Sequence, residues 1–533
     1  MSVPMSTIYI IDDLAIDSRY EHTLYFEDQQ AQLDFFRDHT IKRFSDYTYL
    51  RRDWSIKVEA NMSDARKWTY LYFFNPQDNK PYFYFINKVE YKNEKTVELF
   101  LEMDVIQTYM FDWQLGHCFV ERTHTTTDEI GEHTMDEGLE TGPLVTTKTV
   151  DYPLNDLCIL VLATIDENGN SATSKVYDSV FSGLAVWAVD LENYYAFGNW
   201  LDSMSTDGKI DGIVSMWVYP KALVKISGAW GDSTLLHTVV GGVKSITVEV
   251  GLDPEEMADG ISGIIDGYHI WNRKLMTYPY TMLYVTNNAG GSAVYHFERF
   301  ANGKAGKFEL FGALSPDSGV KAVPHDYKGM ELNYDEGLTL GAFPTCAWDS
   351  DTYKVWLAQN QHTQSLTIDQ AKISMAVGAT TAGFGALTLN AEAVGNGLNT
   401  TYNGYMQIQS VMAQRKDMAI QPPQARGAHS ANLNLANDMQ GFSFQVKTVT
   451  AEYARSIDQY LTRYGYKVNR IMKPNLHARQ WFTYIKTIGC VIDGDIGNED
   501  RRKIASIFDN GVTFWTDHHF IGANVINRPI SEV

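Results

Sequence analysis

One stretch of this 533-residue chain carries almost no charge. Residues 373–414 span 42 positions and contain one charged side chain, Glu392, among many Ala, Gly, Thr, Asn and Met residues. Small residues let backbones pack closely, and Met supplies adaptable apolar surface. This stretch, which we call the apolar tract, is therefore poorly suited to be a solvated linker. Its lack of charge permits entry into an apolar environment, and a flexible surface loop is the other interpretation.

The apolar tract lacks the composition of a conventional membrane helix. Its uncharged part, residues 373–391, is 19 residues long, close to the roughly 20 that cross a bilayer. Four Thr and Ser residues and three glycines weaken it as a helical span. We expect the larger apolar side chains of the tract to make its contacts: Ile373, Met375, Val377, Phe384, Leu387, Leu389, Val394, Leu398, Tyr402, Tyr405, Met406, Ile408, Val411 and Met412.

Composition bounds the rest of the chain. With 31 Tyr, 25 Phe and 12 Trp the sequence is too aromatic for disorder. The formal net charge of −21 argues against a protein that reads nucleic acid by attracting its phosphates. Cys118, Cys158, Cys346 and Cys490 show no Cys-x-x-Cys spacing, so we expect buried free thiols and no zinc site or disulfide framework. No signal peptide pattern is present, and we expect synthesis in a cytoplasm.

Strand patterns dominate the first part of the chain. The aromatic and β-branched runs 81–91 and 96–105 flank the polar residues 92–95, a pattern typical of a β-hairpin. Before them, Asp28 is a suitable N-cap for a short helix.

The C-terminal part mixes helices and strands. Apolar residues recur at helical spacing from Tyr453 to Tyr464, and Gly465 follows as a cap. A second helix is predicted to begin with an Asn498 cap, and residues 512–515 read as a strand.

The middle of the chain predicts a mixed domain with more strand than helix. Strand patterns lie at 158–165, 213–219, 245–250, 281–285 and 293–300, and residues 191–203 fit a helix.

Few residues suggest chemistry. Asp517, His518 and His519 are ligand-type side chains, but neighbours on a strand point to opposite faces, so we expect a solvated segment and no metal site. Residues 493–498 depart from a calcium loop, and residues 303–307 lack the Ser or Thr of a phosphate loop. The sequence indicates no catalytic, cofactor or metal site, although a pair of glycosidase carboxylates is compatible with its many acidic residues.

Several strings, in order along the chain, resemble one protein family. Near the N-terminus these are residues 47–52, 102–108 and 119–124. Residues 343–349 and 356–360 resemble the element that precedes the hydrophobic loop of that family. Further matches lie at 464–466, 468–469, 482–487 and 508–515. The family is that of the distal tail tube, or tail knob, proteins of small short-tailed bacteriophages of the phi29 and picovirus types.

The resemblance implies a fold and a division of the chain. The fold class would be β-rich α+β, with tail-tube-like β-barrel or sandwich domains in a tube wall. Residues 1–150 would form the N-terminal tube part, and 341–370 with 441–533 the C-terminal tube part. Residues 151–340 would form a mixed knob domain, and 371–440 a hydrophobic loop that plugs the channel.

The resemblance also implies a function. The chain would be a structural protein, not an enzyme, at the distal end of the virion tail. It would form a homo-hexamer with other tail proteins, such as the collar or proximal tube, as neighbours. Phage DNA would pass through its lumen without sequence readout, and the loop would enter the host cell membrane during DNA ejection. A cell-wall hydrolase of the tail tip is the alternative function, and a membrane-active toxin unrelated to phages is a third.

Overall fold

The computed structural model describes residues 6–48, 54–76, 79–170, 185–207, 209, 212–240, 244–252, 263–314, 319–341, 343 and 440–532. Within these residues the predicted β-rich α+β class is confirmed. The α-helices are α1 (Gln29–Asp38), α2 (Met62–Ala65), α3 (Val105–Tyr109), α4 (Tyr194–Thr206), α5 (Ala451–Tyr464) and α6 (Asn498–Asn510).

The strands form several separate sheets. In chain order they are β1 (Ile8–Asp12), β2 (His22–Leu24), β3 (Thr40–Phe44), β4 (Ser55–Glu59), β5 (Trp68–Phe74), β6 (Pro81–Asn93), β7 (Thr96–Met103), β8 (Trp113–Leu115), β9 (Cys118–Thr123), β10 (Leu144–Pro153), β11 (Leu157–Ala163), β12 (Ala185–Asp190), β13 (Ile213–Pro220), β14 (His237–Thr238), β15 (Ile246–Gly251), β16 (Gly263–Ile265), β17 (Tyr268–Ile270), β18 (Thr281–Thr286), β19 (Ser292–Tyr295), β20 (Ala305–Gly312), β21 (Val320–Tyr327), β22 (Met330–Leu332), β23 (Leu338–Leu340), β24 (Gly441–Val449), β25 (Tyr466–Met472), β26 (Phe482–Ile488), β27 (Ile492–Gly494) and β28 (Val512–Trp515).

The chain folds into two compact units. Unit 1 comprises Met1–Pro143, Pro254–Tyr280 and Val449–Val533, and unit 2 comprises Leu144–Asp253 and Thr281–Thr448. Residues 263–280, which the sequence division places in the middle domain, thus fold with the two ends of the chain. Strand β24, which that division placed with the C-terminal part, folds with the middle.

The described residues of unit 1 form two large sheets, and side chains of both sheets meet in a buried aromatic cluster. The first sheet has the strand order β3-β1-β5-β6-β7-β4 and the second the order β2-β28-β26-β9-β25, in which β2 and β28 are parallel. Phe36 of α1 packs on Phe83 with 4.6 Å between ring centroids, and Phe508 of α6 packs on Phe514 at 5.7 Å. These rings belong to a single buried cluster. Aromatic side chains of this size contribute much of the burial that stabilises such a core.

The described residues of unit 2 form three sheets. Their strand orders are β10-β24-β18-β19, β13-β11-β12-β14 and β15-β20-β21-β22, and β23 also pairs with β21. Phe308 of β20 links two of them, because its ring lies 4.9 Å from that of Tyr295 and 5.1 Å from that of Phe444.

Several local predictions are confirmed. Strands β6 and β7 form the predicted hairpin. The Asp28 carboxylate accepts a hydrogen bond from the Ala31 amide at 2.8 Å and caps α1. Helix α5 ends at Gly465, whose φ of 64° is the left-handed conformation that favours glycine.

Two local predictions need correction. The run 293–300 is a strand only to Tyr295, because a 3₁₀ turn at Phe297–Arg299 follows. Its aromatic content gives it the composition of a strand throughout, but composition does not determine local hydrogen bonding. The cap of α6 is Gly497, and Asn498 is the first helical residue.

Candidate functional site

The apolar tract and its candidate contact residues lie outside the described residues: Ile373, Met375, Val377, Phe384, Leu387, Leu389, Val394, Leu398, Tyr402, Tyr405, Met406, Ile408, Val411 and Met412. The structure does describe the residues on either side. Strand β23 precedes the undescribed segment and β24 follows it, and both belong to unit 2.

Both flanks are held in the fold of unit 2. On the N-terminal side, Phe343 is buried and its ring lies 5.7 Å from that of Tyr219. On the C-terminal side, the Gln440 carbonyl accepts a hydrogen bond from the Leu154 amide at 2.8 Å. Gly441 is packed so closely that a Cβ there would lie 2.3 Å from the carbonyl oxygen of Tyr152. Packing therefore fixes the described residues on either side of the segment.

Three exposed apolar residues form a row across the second sheet of unit 1. Phe119 of β9 is paired with Ile471 of β25 on one side and with Ile488 of β26 on the other. Phe119, Ile471 and Ile488 are 37%, 74% and 57% exposed, respectively. Directly paired residues of antiparallel strands share a face of the sheet. We call these three residues the apolar row.

Two charged side chains on the strands that carry the apolar row pair with each other. Glu121 of β9 and Lys486 of β26 form an ion pair with each other at 2.9 Å. Strand β25 is an edge strand of its sheet among the described residues. Contiguous exposed apolar residues beside a sheet edge are typical of an interaction surface.

A buried polar network connects the three chain segments of unit 1. The Asp458 carboxylate of α5 accepts hydrogen bonds from the amides of Trp271 at 2.8 Å and Asn272 at 3.0 Å. The Tyr466 hydroxyl donates to Asp128 at 2.5 Å. Burial raises the pKa of Asp458 to about 6, although these hydrogen bonds favour its charged form. The described residues 263–280 are thereby tied to α5.

A buried ion triad lies in the same unit. Arg122 pairs with Glu137 at 2.6 Å, and Lys274 pairs with the other oxygen of that carboxylate. Their side chains are 8%, 0% and 2% exposed in the order Arg122, Glu137, Lys274. Arg122 also donates to the carbonyl of Gly465 at 2.7 Å. The triad was not predicted from the sequence. The one local indication of it is Arg122, a basic residue on the buried face of β9.

Asp517, His518 and His519 are close together. The strand geometry expected for them is wrong, because β28 ends at Trp515, and His518–Phe520 form a 3₁₀ turn capped by Asp517. One potential ligand atom from each of the three residues lies within 4.8 Å of the others. The three side chains come together because a 3₁₀ turn coils the backbone, whereas a strand would point successive side chains to opposite faces.

A cavity of about 330 Å³ lies beside α5 and β28 in unit 1. No Asp or Glu is found among the described residues that line it, so it offers no carboxylate pair for glycoside hydrolysis. Its lining consists of His22, Gln459, Thr462, Arg463, Phe482, Thr513, Trp515, Gly522, Ala523, Asn524 and Val525.

The cysteines that the structure describes are free thiols. Cys118 and Cys158 are buried and Cys490 is half-buried, all three are free, and Cys346 lies outside the described residues. Burial raises the pKa of Cys490 to about 12, which makes its thiol unreactive at neutral pH.

In the described part of the chain, no helix has both the length and the apolar character required to cross a bilayer.

Comparisons with known proteins find similarity to phage tail proteins along nearly the whole chain. Residues 248–528 match the family described as the C-terminal domain of the tail knob protein gp9 of Bacillus phage phi29. Residues 4–114 match the family described as the N-terminus of the caudoviral major tail protein.

Individual relatives extend this match. The chain is 26% identical to the tail knob protein gp9 of Bacillus phage phi29, covering 96% of this chain and 97% of that protein. It is 27% identical to the tail knob protein gp9 of Bacillus phage PZA with the same coverage. The solved tail knob protein gp12 of bacteriophage C1 has a similar fold, with a TM-score of 0.66, 13% identity, and coverage of 98% of this chain and 99% of that one.

Proposed function

The chain belongs to the phage tail knob family of phi29 gp9, and from that premise we propose that it forms a hexameric ring at the distal end of the tail. It is a structural component of the virion tail. In the proposed ring the genome passes along an axial channel into the host. The names of the relatives are those of structural proteins, which supports a role without catalysis.

The apolar row is the observation that supports contact between copies. Ile471 is 74% exposed on an edge strand, and Phe119 and Ile488 lie beside it on the same face. Burying such a row against another protein removes apolar surface from water, which stabilises association by roughly 25 cal/mol per Å². An identical copy is the partner that a ring requires.

Within the ring, unit 1 contributes to the wall of the tube and unit 2 forms the knob. The apolar tract fills the lumen, where six copies hide from water by packing on one another. During ejection the tract leaves the lumen and enters the host membrane as its next apolar environment. The nearly chargeless composition of residues 373–414 supports this role. Neighbouring tail proteins, such as the collar or proximal tube, hold the ring on the virion.

Oligomeric state tests the proposal. Native mass spectrometry of the purified full-length chain should give six copies, and the double variant I471D/I488D should dissociate. Met330 of β22 in unit 2 is also an exposed apolar residue on a short strand, at 54% exposure, and M330D is the matched control that should keep the hexamer. A chain that stays monomeric at every concentration would refute the ring. A hexamer that I471D/I488D leaves intact would exclude the apolar row as its interface.

The membrane step has its own test. Peptides that cover residues 373–414 should release dye from liposomes. If no dye is released at acidic or neutral pH, the membrane role is excluded and only the plug remains. Clearing of bacterial cell wall in a gel, abolished by replacement of one carboxylate, would favour the hydrolase alternative instead.

A further inference from the structure

The turn after β28 gathers three metal-ligating side chains at the surface of unit 1. We propose that Asp517, His518 and His519 bind one divalent transition-metal ion of the Zn²⁺ class. This site is independent of the ring and of the apolar tract. It rests on the positions of the three side chains in the turn.

The distances within the turn suit a shared ion. The His519 Nδ1 lies 2.8 Å from the Asp517 Oδ1, and the His518 Nδ1 lies 3.7 Å from the same oxygen. Two ligands of one zinc ion, each bound at about 2.0–2.1 Å, lie roughly 3.4 Å apart in tetrahedral geometry. The potential ligand atoms of all three residues lie within 4.8 Å of one another, so side-chain rotations can bring them onto one ion.

Neighbouring aromatic rings hold His518 in place. Its ring lies 5.2 Å from that of Phe35 and 4.7 Å from that of His39, both at the end of α1, with the rings in edge-to-face contact. These contacts fix the imidazole ring whose Nδ1 lies 3.7 Å from the Asp517 Oδ1.

The ligand set selects the class of metal. Two imidazoles and one carboxylate suit Zn²⁺, Ni²⁺ or Cu²⁺, whereas Ca²⁺ and Mg²⁺ prefer sites made of oxygen ligands. In the structure the Asp517 carboxylate also accepts a hydrogen bond from the His519 amide at 2.9 Å, which orients it in the turn. His519 is 72% exposed, so solvent can complete the coordination shell. The ion replaces the proton between Asp517 and His519, which moves to the other ring nitrogen or to solvent.

Calorimetric titration of the untagged full-length chain with ZnCl₂ tests the site. We expect one strong Zn²⁺ site per chain, and at least a tenfold loss of affinity in H519A and in D517N. H519A is the decisive variant, because this exposed side chain can be removed without disturbing the core. His269 of β17 is an exposed histidine elsewhere in unit 1, and H269A is the control that should bind as the unaltered chain does.

A spectroscopic readout separates binding at the turn from adventitious binding. Co²⁺ bound to the chain should give visible absorption that Zn²⁺ removes and excess Mg²⁺ does not. Circular dichroism establishes that each variant is folded. The proposal is overturned if the unaltered chain takes up no Zn²⁺, or if H519A binds Zn²⁺ as tightly as H269A.

Discussion

Replacing Glu137 by Gln should destabilise unit 1 strongly. Glu137 is the one acidic member of the buried triad, and it pairs with Arg122 and Lys274 through its two oxygens. The E137Q variant keeps the shape of the side chain and removes its charge. Two basic groups then remain buried without their counter-ion.

The magnitude follows from burial. Breaking a buried ion pair by removing one partner costs about 3–5 kcal/mol, because the remaining charge is left uncompensated. Unit 1 comprises Met1–Pro143, Pro254–Tyr280 and Val449–Val533, and in a folding unit of this size each kcal/mol lowers the melting temperature by about 2–4 °C. E137Q should therefore unfold on the order of 10 °C below the unaltered chain. Differential scanning calorimetry at neutral pH measures this shift.

The effect should depend on pH through Lys274. Burial lowers the pKa of Lys274 from its ordinary value of 10.5, while Glu137 opposes the shift by favouring the charged ammonium. Without Glu137 the folded-state pKa falls further, and the unfolded chain binds more protons between that value and 10.5. The free energy of unfolding of E137Q then rises with pH over this window. The deficit of E137Q should be largest near neutral pH and shrink in alkaline solution.

Glu336 provides the matched control. It pairs with Lys328 at the surface, where their side chains are 40% and 36% exposed. Exposed ion pairs contribute about 0–1 kcal/mol, so E336Q should leave the melting temperature nearly unchanged. If E137Q and E336Q shift the melting temperature equally, the reasoning from the buried triad is wrong.

Three further predictions concern single features. A Cβ at Gly465 would lie 2.4 Å from the backbone of Thr123. We therefore expect G465A to destabilise the chain more than the control G329A, whose added Cβ meets no atom within 4 Å and whose left-handed φ costs about 1–2 kcal/mol. Equal melting temperatures for the two variants would contradict this. Burial raises the pKa of Asp458 from 3.8 to about 6, so the stabilisation that comes from its protonated form is lost as pH rises through that window. D458N lacks this titration, and its stability relative to the unaltered chain should therefore increase from pH 3.8 to about 6. A flat difference in urea unfolding across this range would refute the assignment. Peptides of residues 373–414 should permeabilise liposomes, and scrambling their sequence should leave leakage largely intact if composition is the cause.

Local features of the fold were predictable from the sequence because neighbouring residues determine them. The hairpin of β6 and β7 follows from two β-prone runs around a polar turn, and α5 follows from its periodicity and Gly465. Elements predicted from such strong local patterns keep their predicted conformation in the folded chain. Where the pattern was compositional only, as at residues 293–300, a 3₁₀ turn replaced part of the predicted strand.

The buried network was beyond prediction because its members are distant in sequence. Asp458 and Asn272 are 186 positions apart, and Arg122 contacts Gly465 across 343 positions. No local pattern indicates such contacts, so the sequence alone does not place residues 263–280 with the two ends of the chain. The geometry of Asp517–His519 was missed for a different reason, since the turn after β28 begins just beyond a well-predicted strand.

Electron cryomicroscopy of the purified full-length chain tests the central claim most directly. We expect a sixfold ring with an axial channel, the apolar row at the contact between neighbouring copies, and density for residues 373–414 inside the channel. A solitary molecule with these residues spread over its outer, solvated surface would contradict the proposed tail ring.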